Sequence, residues 1–218
     1  MRLIHALVRR HVRELAGWRM EAWGLPINQP DMAATLLGSL SVPLLGARPM
    51  GMPQSRAERE DANHLVRYVG WLMGVDPGWL AETHDQALGL LMQMLLSLAN
   101  PDETSVQMAQ PMADEPLHRQ YPRWGALRGR LERSRHLSIS RAFLGRRAMR
   151  QLGLPDRVLP WYPVLNFPRS LARHVVSRVL PGGKARAAER GRFEQEAFLK
   201  LLSGERTAVI GESASVTG

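Results

Sequence analysis

The chain contains no cysteine, which excludes disulfides, thiolate nucleophiles, iron–sulfur ligation and cysteine-bound zinc in any compartment. Metal chemistry in such a chain rests on histidine, on carboxylate or on a preformed cofactor. Lysine is almost absent as well, Lys184 and Lys200 standing against a large excess of arginine. The longest uncharged stretches, Met32 to Ala47 and Ala87 to Asn100, are too short to cross a bilayer, and the first contains Gly38 and Pro43. His5, Arg9 and Arg10 break the early apolar run, so no signal-peptide core forms there, and the expectation is a soluble, cytoplasmic chain. No segment alternates apolar and polar residues long enough to argue for a sheet.

What is present is helical pattern and unevenly placed charge. The 218 residues suffice for one domain with a real core, and the formal charge is +9. Residues 1–118 are net acidic, residues 119–192 are strongly basic with only Glu132, Asp156 and Glu189 as acids, and the remainder is slightly acidic. The basic segment reads first as a solvated face. The alternatives are an anion, nucleic acid, an anionic membrane surface or an acidic partner. No nucleic-acid module is recognisable around it, so nucleic acid is the weaker choice.

Helical periodicity covers residues 2–20, with Ile4, Val8, Leu15 and Trp18 on one side. Asp31 is the expected N-cap of a helix to about Leu45, bent near Gly38 or stopped before Pro43. Ser55-Arg-Ala-Glu58 forms a capping-box pattern opening a helix that turns Leu65, Val69 and Leu72 inward and ends at Gly74. Thr83-His-Asp-Gln86 repeats that logic ahead of a helix apolar nearly all round, in which Met92, Met94, Leu95 and Leu98 read as core. A weaker helix spans Thr104 to Leu117 with an interruption at Pro111, and further helices are expected at about 125–136, 138–152, 168–180 and 184–203. The fold class is all-α, a single multi-helix orthogonal bundle. One domain covers 1–204, as a core over 1–118 and a basic helical subdomain over 119–204, and 205–218 is a disordered tail.

The seven histidines include no His-x-x-x-His pair and no His-Glu-x-x-His motif, so a locally built zinc site is not indicated. His5 is compatible with axial ligation of heme, because the porphyrin supplies four ligands and the protein need add one imidazole. Its competing reading is a half-buried, hydrogen-bonded helix histidine. Arg9, Arg10 and Arg13 follow within two turns and pair either with heme propionates or with neighbouring carboxylates. In Trp23-Gly-Leu-Pro-Ile-Asn-Gln-Pro-Asp31, Asn28 and Gln29 are expected to tie backbone groups of an ordered turn. His64, with Glu60 or Asp61 upstream and Arg67 and Tyr68 downstream, reads as a buried hydrogen-bonded residue or else an oriented base. Gly70 and Gly74 leave room for a helix or a flat cofactor.

Three ordered blocks, Arg2-Leu-Ile-His-Ala-Leu-Val-Arg-Arg, Trp23-Gly-Leu-Pro-Ile-Asn-Gln-Pro-Asp-Met and Asp61-Ala-Asn-His-Leu-Val-Arg-Tyr-Val-Gly-Trp-Leu-Met-Gly-Val75, resemble the family of MpaB-type oxygenases and latex-clearing rubber oxygenases. The resemblance covers residue 2 to roughly residue 100, with a looser extension beyond. It implies an all-helical, heme-dependent oxygenase carrying b-type heme and acting on a hydrophobic small molecule or polymer with an oxidisable double bond or alkyl group. It makes His5 the match to the proximal heme ligand, and Asn28, His64 and Arg67 matches to motif positions that shape the pocket or hold helices together.

In the rubber oxygenases, helices ahead of that histidine supply the distal side of the heme, including a carboxylate, an arginine and a lysine. Here His5 follows Met1 closely and both lysines lie outside the motifs, so the chain resembles the C-terminal half or two-thirds of a family member. The expectation is that a homodimer mate or another partner chain covers the open heme face. A noncatalytic helical scaffold that keeps the family fold is the alternative.

Overall fold

The computed structural model describes residues 2–97 and 100–203. Among these every regular element is helical, as the sequence predicts, and no helix is long and apolar enough to cross a membrane. The chain falls into two compact units, 1–100 and 101–218. The helix ahead of residue 119, with buried Ala113, packs against Leu137 and Met149 within the second unit. The charge step is therefore a feature inside the second unit. The expected tail, 205–218, lies outside the described residues.

Unit one contains α1 (Arg2–Glu14), α2 (Met20–Trp23), α3 (Gln29–Ala47), α4 (Arg56–Met73), a 3-10 turn at Pro77–Trp79 and α5 (His84–Ser97). Helices α3, α4 and α5 pack pairwise around Leu37, Val66, Ala87 and Leu91. Local signals set their ends. Ser55 and Glu58 complete the capping box, and Thr83 Oγ1 accepts the Gln86 N–H at 3.2 Å while Gln86 Oε1 accepts the Thr83 N–H at 3.3 Å. Gly74 ends α4 in the left-handed region at φ 87°, and Val75 N–H closes the turn on Gly70 O at 2.9 Å.

Several expectations about faces and ends are corrected. The cap of α3 is Asn28, whose Oδ1 accepts the Asp31 N–H at 2.8 Å, so Asp31 sits inside the first turn. Pro43 lies within α3 and does not stop it. In α4 the buried residues are Asn63, Val66 and Gly70, while Leu65 and Leu72 are exposed. The reason is close approach at Gly70, where the Leu36 and Leu80 side chains fill the place of a Cβ. Asn63 is satisfied by donating to Ala81 O at 3.1 Å. In α5 only His84, Ala87 and Leu91 are buried. Met92, Leu95 and Leu96 face outward because α3 and α4 cover a single side of the helix. Leu98 lies outside the described residues.

Unit two contains α6 (Glu103–His118), α7 (Gly125–Gln151), α8 (Trp161–Val179) and α9 (Gly183–Ser203), each packed on the next. Pro111 and Pro116 are accommodated within α6, and α7 runs through the expected break at 137 and kinks at Gly145 (φ 75°, ψ 174°). Ser138, fully buried, accepts the Tyr162 N–H at 2.9 Å and so anchors the start of α8. The arginines are partly internal ties. Arg119 pairs with Glu115, Arg133 with Asp114 at 2.5 Å, and Arg150 with Asp156 at 2.9 Å, while Arg141 donates to Asp156 O at 3.2 Å.

Two measurements test this packing. Gly89→Ala places a methyl in open space on the α5 surface and is expected to raise stability by roughly 0.5–1 kcal/mol. Gly70→Ala drives a methyl to within 2.6 Å of Leu36 and Leu80 and is expected to lower stability by about 1–3 kcal/mol, both read from urea unfolding. The second concerns pH. The Arg119 hydrogen bond holds the Glu115 carboxyl below its ordinary range, and Arg150 does the same for Asp156. Depressed folded values mean that this stabilisation is complete above the unfolded carboxylate pKa of about 4 and is lost as pH falls through the folded values. A thermal-unfolding series from about pH 6 to about pH 3 should show an acid limb that Glu115→Gln makes shallower.

Candidate functional site

The three sequence blocks meet in unit one. On α1, Arg2, His5 and Arg9 share a face, at spacings of three and four residues. On that face His5 and Arg9 are half-buried and Arg2 is exposed, while Leu3, Ile4, Leu7 and Val8 are exposed, Leu3 to 71%. The apolar side of α1 therefore does not wall a pocket within the described chain. Its polar side finds partners instead. Arg9 Nε donates to Pro26 O at 3.1 Å and Nη2 to Ile27 O at 2.5 Å, with Met32 Sδ at 3.8 Å. Ile27 carries φ 52°, a costly conformation for a β-branched residue, and the Arg9 guanidinium holds its carbonyl in place.

The second block brackets the third. Gln29 Nε2 donates to Gly74 O at 3.1 Å and its Oε1 accepts the Asp76 N–H at 2.8 Å, joining the start of α3 to the end of α4. Asn28 Nδ2 donates to Asp31 Oδ2 at 2.7 Å and to Leu25 O at 3.3 Å. Trp18 Nε1 donates to Gly24 O at 3.0 Å, and its ring meets Trp23 edge-on at 5.3 Å. The first block also touches the third: Arg2 Nε lies where a Cβ on Gly74 would be 3.0 Å away. Gly74 therefore admits a guanidinium, and Gly70 admits leucines of α3 and of the 3-10 segment, where sequence left a flat cofactor open.

His5 is half-buried, and its Nδ1 is a buried side-chain atom with no hydrogen-bond partner among the described residues. A sealed, unpaired ring nitrogen costs on the order of 1–3 kcal/mol. Nε2 forms no hydrogen bond among the described residues either, but it is not sealed. These features fit a single imidazole donor approached at Nε2, the requirement of an axial heme ligand. The carbonyl or carboxylate that commonly orients such a ring through Nδ1 is not supplied by the described residues. Among them, no three histidines and carboxylates converge as a metal site.

The other expected residues are placed as follows. His64 is exposed on α4, which corrects the buried reading, and Arg67 is half-buried beside it. Glu60 does not orient His64; its Oε2 accepts the His84 N–H at 2.9 Å. Tyr68 and Trp71 stack at 6.2 Å on the exposed side of α4, Trp71 being 60% exposed.

The buried histidine is His84, at 3% exposure, lining a cavity of about 490 Å³ with Arg48, Arg59 and Asp85. Its only sequence signal was its place just after Thr83 in a capping box. Asn63 and His84 are thus buried polar residues of unit one and Gln29 a bridging one, and of these only Gln29 was singled out by its turn context.

Comparison with known proteins adds the family. No curated protein and no solved structure matches the chain. A family model described as ER-bound oxygenase mpaB/B'/Rubber oxygenase, catalytic domain, matches residues 1–177, the span holding all three blocks and their shared bracket. The chain belongs to the mpaB/rubber oxygenase catalytic-domain family.

Proposed function

We propose that this chain is a heme-dependent oxygenase domain, an oxidoreductase whose His5 is the proximal ligand of a b-type heme and whose substrate is hydrophobic, with an oxidisable carbon–carbon double bond or alkyl group. The observation that carries this reading is the His5 imidazole, with Nδ1 buried and unpartnered and Nε2 unsealed, in a block matched by the family model. Bound heme would supply the redox-active iron at which dioxygen is activated.

The chain's own residues would do the positioning. Arg9, one turn beyond His5, fixes the direction of α1 through the Pro26 and Ile27 carbonyls, a more direct role than contact with a propionate. Asn28 and Gln29 fix the turn that receives it. His64 and Arg67 border the exposed aromatic side of α4, with Trp71 and Leu72, a surface that can take an apolar ligand. A second copy or another partner chain would complete the open side of the site, and the cytoplasm is the proposed compartment.

Hemin titration of the full chain tests the assignment. A saturable Soret shift is expected, lost in His5→Ala with circular dichroism unchanged and restored to that variant by added imidazole. No shift in the wild type, or the same shift in His5→Ala, would sink ligation by His5 and leave the noncatalytic helical scaffold as the better reading.

A further inference from the structure

Unit two contains a cavity of about 640 Å³ between α6, α7 and α9, a size within the ordinary range for small-molecule sites. Its apolar lining comes from Pro116, Leu131, Ile139, Phe198 and Leu201. Tyr121 adds its ring, since its hydroxyl is already committed to Pro116 O at 3.0 Å. Phe198 and Leu201 come from α9, beyond the residues matched by the family model, so the site is not part of what that match describes.

Arginines share that lining, Arg128 and Arg135 alternating with Leu131 and Ile139 along α7, and their charges can be accounted for one by one. Arg119 is bound to Glu115 and stacks over Phe198 at 5.0 Å. Arg135 pairs with Glu132 at 3.5 Å and stacks over Tyr162 at 4.2 Å. Arg128 has no ion-pair or side-chain hydrogen-bond partner among the described residues. Two of the three guanidiniums are neutralised by carboxylates and one planar donor fork remains. One free fork beside the apolar side chains of an open groove matches a monoanion with an aliphatic body, because guanidinium binds carboxylate in a bidentate manner and contact with Leu131, Ile139 and Phe198 removes hydrocarbon from water.

We propose that this cavity binds a long-chain fatty acid, its carboxylate on Arg128 and its chain against Leu131, Ile139 and Phe198. Polynucleotide is a poor match: the surplus within the cavity is a single charge, and one of its two aromatic rings, Phe198, is already stacked by Arg119. His136, exposed at the rim, is a second donor for the same carboxylate. The inference does not depend on heme.

The test is titration of the full chain with cis-parinaric acid, a long-chain fatty acid that fluoresces when bound, followed by displacement. Saturable binding is expected, with palmitate competing and methyl palmitate, which keeps the chain and lacks the charge, failing to compete. Arg128→Gln should weaken affinity by about tenfold or more, the loss of one charge-assisted contact, and Leu131→Asp should weaken it further. Arg147→Gln, on exposed surface outside the cavity, and His5→Ala should both bind as wild type, so this inference and the heme reading fail separately. Absence of saturable binding, equal competition by the methyl ester, or unchanged affinity in Arg128→Gln would each overturn the proposal. Displacement by dodecyl phosphate far better than by palmitate would overturn the carboxylate assignment.

Discussion

Unit one is organised by a side-chain amide, Gln29, that completes the backbone of a distant turn. Gly74 leaves α4 in a left-handed conformation, which exposes its carbonyl and the following N–H groups to one side. Gln29 reads both polarities at once, donating to Gly74 O and accepting from Asp76 N–H. Neither group has another hydrogen-bond partner in the turn, so the bond pair ties the carbonyl of half-buried Gly74 and the Asp76 N–H to α3. The turn from Trp23 to Asp31 and the carbonyls that receive Arg9 take their positions from this contact. So does the placement of Arg2 over Gly74.

Unit two solves a different problem with the residue it has in excess. A segment carrying so few acids is self-repelling unless its arginines find other acceptors, and here they do. Asp114 and Glu115 on α6 each take one, Asp156 takes Arg150 through its carboxylate and Arg141 through its carbonyl, and aromatic faces take Arg119 and Arg135. Guanidinium rather than ammonium suits this duty, since one planar group can bond a carboxylate and stack on a ring together. The basicity of residues 119–192 is therefore as much a packing device as a surface field.

Local chemistry was legible in the sequence and helix orientation was not. Ser55 with Glu58, Thr83 with Gln86, and Gly74 announce their ends because each cap is built from residues within one turn. Which face of a helix is buried depends on what approaches it. At Gly70 the approach of Leu36 and Leu80 outweighs the apolar count on the Leu65 and Leu72 side. Prolines misled for a related reason, since Pro43 and Pro111 remove a hydrogen bond each yet sit in helices that packing holds together. Of the site residues, His5 was identified by its block, whereas His84 is buried through its neighbours and not through its spacing.

The polar face of α1 has a consequence for how that helix comes away. Because Leu3, Ile4, Leu7 and Val8 already meet water, undocking α1 exposes little further hydrocarbon, and what resists it is a few hydrogen bonds centred on Arg9. Elements attached in this way open at far lower free energy than the core, and their amides exchange first. His5 travels with α1, so a ligand on its ring would be linked by mass action to closure of the helix itself. Occupancy of the histidine and the folding of the chain's first helix then become a single equilibrium.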